Sequence, residues 1–239
     1  MTTYTTGRGP HRSEPTASAP LAAPAPAPAS AGMAAPTGPH PVGMISLPLV
    51  HRDRLEPGVR SKPFRELMVD VRYPAREVER YERTPGTFVH EDAPPALDPS
   101  GPRPVVLHSP GVGEAYAPSP LAEELASHGY VVVTIVQDDA RASDVRFVLD
   151  QLISFAPGVL DLSRIGLVGR SARARAADCS ADLATLHDDP RITAVADLDG
   201  NLAAASADDP RTPLVAFFDR RLRGGEETAV AATAARAGR

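Results

Sequence analysis

Apolar positions follow two alternating rhythms along the chain. Residues 44–50 and 67–73 alternate apolar and polar, as strands with one buried face do. Residues 104–108 form a short apolar run that stops at Ser109-Pro110-Gly111. A helix signal follows: Ser119 can cap, Pro120 suits the first helical position, Glu123 and Glu124 fall near the positive end, and Gly129 closes the segment. Residues 130–136 are almost wholly β-branched, the pattern of a central parallel strand buried on both faces. Val145, Val148, Leu149, Leu152 and Ile153 then recur at helical spacing. Residues 165–168 predict another buried strand, with a helix after it to about residue 187. Residues 192–198 and 214–218 predict two more strands. Strand alternating with helix implies an α/β domain, a mostly parallel sheet with helices on both faces.

The first residues break this rhythm. Residues 1–41 are rich in Pro, Ala, Ser and Thr, and Ala22-Ala23-Pro24-Ala25-Pro26-Ala27-Pro28 cannot hold a helix, because proline removes donors and clashes with the preceding turn. Little apolar bulk is available to bury, so this segment is expected to be disordered, with the folded domain over residues 42–239. Arg8, Arg12 and the small residues Ala29-Ser30-Ala31 give a weak signal-peptide-like pattern, but prolines interrupt the stretch between them, and the sequence leaves localisation open.

Composition narrows the functional classes. The 239 residues suffice for one sizeable domain. A net charge of −5 offers no basic field for nucleic acid or anionic lipid. No apolar run approaches the roughly 20 residues of a membrane span. One cysteine, Cys179, excludes an internal disulfide and any multi-cysteine zinc site, and no metal or other cofactor is expected.

Reactive groups in parallel sheets collect at the carboxyl ends of the strands. After residues 165–168 comes Gly169-Arg170-Ser171-Ala172-Arg173, which opens a helix. Strand, sharp turn, serine and helix make a nucleophile elbow, with Ser171 projecting from the turn. The alternative is a serine that merely caps the helix. Arg173 stands where the elbow pattern has glycine, which should loosen the helix–strand packing. His108-Ser109-Pro110-Gly111-Val112-Gly113 follows the apolar run at 104–108, where the α/β-hydrolase fold draws one backbone oxyanion donor; the other comes from the residue after the nucleophile, Ala172. A plain glycine-rich turn is the other reading. At the end of residues 192–198, Asp199 could orient a catalytic histidine, with Asp219 as the alternative; both could equally be turn-forming aspartates.

Several ordered pieces resemble the bacterial relatives of platelet-activating-factor acetylhydrolase, a lipase/esterase family of the α/β-hydrolase superfamily. They are Pro104-Val105-Val106-Leu107-His108-Ser109-Pro110-Gly111-Val112-Gly113, Leu125-Ala126-Ser127-His128-Gly129-Tyr130-Val131-Val132-Val133, Asp144-Val145-Arg146-Phe147-Val148-Leu149-Asp150, and Leu198-Asp199-Gly200-Asn201. Gly38-Pro39-His40-Pro41-Val42-Gly43 and Arg65-Glu66-Leu67-Met68-Val69 add to the likeness. The resemblance implies a serine carboxylic-ester hydrolase without cofactor, acting on a small ester or phospholipid-like substrate. It implies Ser171 as nucleophile, Asp199 as the triad acid, and Val112 and Ala172 as oxyanion donors.

The chain departs from that family where it runs from Asp138 to Asp144 almost directly into a helix, without the usual insertion. It also has no histidine after His187, whereas the family's triad histidine follows the next strand. Residues 220–239 are rich in Ala, Arg and Gly and do not continue the strand–helix pattern. The expectation is a C-terminally truncated hydrolase domain whose last strand, at 214–218, is an exposed edge that invites self-association. His108 could approach Ser171 from the neighbouring strand, although a buried or rim histidine is the plainer reading. His128 and His187 read as structural residues at helix ends.

Overall fold

A computed structural model of the chain describes residues 34–55, 64–110, 114–137, 140–155, 158–169, 186, 188–198 and 211–224. All belong to one compact unit spanning Gly32–Arg239.

The strands are β1 (Val42–Leu55), β2 (Phe64–Pro74), β3 (Val89–Glu91), β4 (Arg103–Ser109), β5 (Val131–Ile135), β6 (Leu160–Gly169) and β7 (Ile192–Asp197). The helices are α1 (Pro120–Ser127), α2 (Ala142–Phe155) and α3 (Arg211–Leu222). One sheet takes the order β3-β1-β2-β5-β4-β6-β7. β5, β4, β6 and β7 run parallel, and β2 joins β5 antiparallel. β1 and β2 form an antiparallel hairpin pair.

The side-chain alternation of each strand divides the core in two. Leu107, Val133, Ile135 and Leu167 pack with Val145, Val148, Leu149 and Leu152 of α2. On the other face Val106, Val132 and Val168 pack with Leu125 of α1 and with Leu214 and Phe218 of α3. The sheet therefore carries helices on both faces.

α1 forms as its sequence predicts. Ser119 Oγ accepts from the Ala122 amide at 3.3 Å, Pro120 occupies the first turn, and Gly129 takes the positive φ of 96° that ends the segment. At the start of α2 Asp144, fully buried, accepts from the Arg141 amide at 3.0 Å and from Arg65 Nη2 at 3.2 Å, capping the helix from its first turn and tying β2 to it. Residues 34–41 run along α1, where the amide and hydroxyl of Thr37 both donate to the buried Glu124 and the Gly38 amide donates to Ser127 Oγ at 3.0 Å.

One expected element is different. Residues 214–218 are not a strand but part of α3. Leu214, Val215, Phe218 and Leu222 are its buried positions, and their spacing is that of one helical face, whereas a strand would bury alternate residues. The exposed edge expected there belongs instead to β7, the last strand of the sheet among the described residues.

Candidate active site

β4, β6 and β7 stop in a single row. The register aligns Ser109 with Gly169 and Gly169 with Asp197, and the Leu198 amide donates to the Gly169 carbonyl at 2.9 Å. The chain order reverses at this row. β4 leads through α1 to β5 on one side, and β5 leads back through α2 to β6 on the other. Connections leaving in opposite directions open a crevice outside the carboxyl ends, and ligands of such sheets bind there. A cavity of about 300 Å³ occupies it, lined by His108, Ser109, Pro110, Glu114, Leu121 and Leu198 among others. The amino end of α1 borders the cavity through Ser119 and Pro120, bringing the positive end of a helix dipole to its wall.

Val112, Ser171, Ala172 and Asp199 lie outside the described residues, as do Arg173, Cys179 and His187. The described chain reaches the row just before them in sequence: Pro110 precedes the 111–113 segment, Gly169 precedes Arg170-Ser171, and Leu198 precedes Asp199.

Asp219 is not at this end of the sheet. It accepts from the hydroxyl of Tyr130 at 2.7 Å and pairs with Arg223 Nη1 at 3.1 Å. Tyr130 directly precedes β5, so the carboxylate lies toward the amino ends of the strands. Burial, and then the Asp219 carboxylate, push the Tyr130 phenol well above its usual range. The alternative triad acid is thereby set aside. His128 is likewise structural, with Nε2 at 3.1 Å from both Glu124 Oε1 and Thr37 Oγ1.

His108 does face the crevice. It is 7% exposed and lines the cavity, and its Nδ1 lies 3.3 Å from Thr134 Oγ1 on β5. Thr134 in turn accepts from Arg72 Nη1 at 3.3 Å. Arg72, Thr134 and His108 form a buried polar row across β2, β5 and β4 on the α1 face. Desolvation holds the Arg72 guanidinium below its usual pKa, against the opposing pull of Asp70 and Glu123. The alternation of β2 had put Arg72 on a solvated face. The only sequence hint of its burial was that Thr134 interrupts the apolar run of β5 at the register of Asp70, beside it.

Among the described residues no group of three or more His, Cys, Asp or Glu could hold a metal ion, and no helix is long and apolar enough to cross a membrane.

No family model matches the chain, and no curated protein matches it. Among solved structures it is similar to a ferulic acid esterase from Streptomyces cinnamoneus, at 28% identity and a TM-score of 0.53. The match covers 67% of this chain and 59% of that esterase, so the chain spans less than two thirds of the protein it resembles. Sheet order, crossover pattern and this likeness agree: the chain has the α/β-hydrolase fold, with an esterase among its structural relatives.

Proposed function

We propose that the protein is a carboxylic-ester hydrolase acting by acyl transfer through Ser171. The observation that carries this reading is the register row Ser109–Gly169–Asp197 at the strand-order reversal, with a cavity against it. In the proposed reaction the Ser171 hydroxyl adds to the ester carbonyl while backbone amides of Val112 and Ala172 hold the oxyanion. The alcohol leaves with the proton given up by serine, and water then releases the acid and restores the hydroxyl. Asp199 is the proposed orienting acid.

A cavity of about 300 Å³ is at the small end of ligand sites and favours a short acyl group or a single ring. Resemblance to platelet-activating-factor acetylhydrolases supports short acyl chains on a phospholipid-like alcohol, and the ferulic acid esterase likeness supports an aromatic acyl group. Comparing 4-nitrophenyl acetate with 4-nitrophenyl ferulate separates them, and along the aliphatic series kcat/KM is expected to fall from acetyl to dodecanoyl.

A second reading is a hydrolase-fold protein without turnover, and its motive is that residues 200–239 contain no histidine to complete a triad. Losing a triad histidine costs several orders of magnitude in rate. A fluorophosphonate probe decides between the two. The esterase reading expects stoichiometric labelling that Ser171→Ala abolishes. A folded protein that takes no label is the non-catalytic one.

A further inference from the structure

A second cavity lies at the opposite end of the sheet from the crevice. Its volume is about 380 Å³, and Arg103, Arg164, Arg223, His40 and His128 line it together with one carboxylate, Asp98. Arg103 opens β4, Gly129 leads into β5 and Arg223 follows α3, so the cavity sits at the amino ends of the parallel strands. The three guanidiniums converge from separate segments. The place a Cβ would take on Gly129 lies 2.9 Å from Arg223 Nη2 and 3.0 Å from Arg103 Nη1. Like charges crowding one glycine cost energy unless negative charge is close by. Asp98 supplies some, 3.2 Å from Arg103 Nη1, whereas Asp161 and Asp219, the partners of Arg164 and Arg223, do not line the cavity. The field at His40 stays positive: burial and then the Arg103 charge lower its pKa, Asp98 opposes them, and Arg223 and His128 add to the lowering.

The donors are not used up, since a guanidinium carries five N–H groups. Arg164 reaches Asp161 through Nε and the Pro102 carbonyl through Nη2, which leaves Nη1 without a partner among the described residues. Arg223 reaches Asp219 through Nη1 and the His128 carbonyl through Nη2, which leaves Nε. Arg103 is buried and held by the Ala96 and Gly129 carbonyls, a fixed charge in the wall. From this we infer that the cavity binds a phosphate group, as the free anion or as a small phosphate monoester. N–H groups approaching from several directions suit a tetrahedral anion, whose oxygens accept in all of them, better than a planar carboxylate. The bound anion ties the ends of α1 and α3 to β4 and β6. The site stands apart from the crevice and does not depend on turnover there.

Isothermal titration calorimetry of the full chain at pH 7.5 and physiological ionic strength tests this, with inorganic phosphate, glycerol 3-phosphate and acetate as probes. One phosphate per chain should bind with Kd at or below about 1 mM. Tighter binding of glycerol 3-phosphate than of phosphate would identify a monoester as the ligand, and the reverse order the free anion. Arg164→Gln and Arg223→Gln should each weaken binding about tenfold or more, the effect of losing a charge-assisted hydrogen bond. Circular dichroism checks that the variants fold, and the wild-type titration stands without them. Phosphate at 100 times its Kd should also raise the melting temperature of the wild type by about 5–10 °C. Absence of saturable binding by either phosphate probe overturns the inference. So does acetate binding as tightly as phosphate, or unchanged affinity in both folded variants.

Discussion

Replacing Gly166 with alanine would put a methyl carbon 2.5 Å from Cε1 and 2.9 Å from Cδ1 of Phe218, with Leu222 Cδ1 at 3.2 Å. Carbon atoms pack best at about 3.5–4.0 Å, so the ring would have to retreat by about 1 Å. Phe218 is fully buried between α3 and β6, beside Tyr130 and Phe217, and has little room for that. Overpacking of this kind costs about 1–3 kcal/mol. Losing the backbone freedom of glycine returns about 0.5–1 kcal/mol, so Gly166→Ala should destabilise by about 0–2.5 kcal/mol. Phe218→Ala removes the ring and should cost about 3–5 kcal/mol. Once the ring is gone the methyl has space, and Gly166→Ala in that background should be neutral or slightly stabilising. Urea unfolding followed by circular dichroism on the four proteins of the cycle gives the coupling directly. The double variant should be more stable than the sum of the singles by about 1–3 kcal/mol. Additivity within about 0.5 kcal/mol would refute the contact, and with it the docking of α3 on β6.

Other expectations follow from the ionised groups. Hydrogen bonds from Arg191 hold the Asp189 carboxyl down to about 2. Its folded value is depressed, so its contribution is present above the unfolded carboxyl range, near pH 4, and is lost as pH falls through about 2. Asp189→Asn should therefore lower stability by about 1.5–3 kcal/mol at pH 7, and acid titration of unfolding should show the two proteins converging toward pH 2. Glu123 shows the opposite sign: burial raises its pKa, while the Phe88 amide and Arg72 oppose the rise, and Oε1 has no partner among the described residues. Its contribution is present below the unfolded carboxyl range and declines as pH rises through the folded value, so Glu123→Gln should gain on the wild type between pH 4 and pH 8 in thermal unfolding. Thr37→Val keeps the backbone donor to Glu124 and removes the hydroxyl, and should cost about 1 kcal/mol while speeding hydrogen exchange at His40, whose amide is bound to the Ser127 carbonyl.

Much of this architecture was legible in the pattern of residues. The β-branched run at 130–136 and the apolar residues at 104–108 and 165–168 specify strands buried on both faces wherever they sit, because no other surface would take them. Ser119, Pro120 and Gly129 mark the ends of α1 through local geometry alone. The same sequence singles out Ser171 by its place between a buried strand and a helix signal, and that residue lies outside the described ones. Where it misled, at residues 214–218, five apolar-rich positions fit either period, and the deciding residue was Leu222, one helical turn beyond Phe218.

Tertiary structure decided what depends on partners distant in sequence. Asp219 stood as the alternative to Asp199 until Tyr130 and Arg223 were found to hold it toward the amino ends of the strands. His108 looked like any buried or rim histidine until the register set it beside Thr134, and Thr134 beside the residue that pairs next to Arg72. A strand's own sequence determines which side chains share a face, since the alternation is covalent. It does not determine which strand lies alongside, and the polar row across β2, β5 and β4 exists only because pairing brings those three residues together.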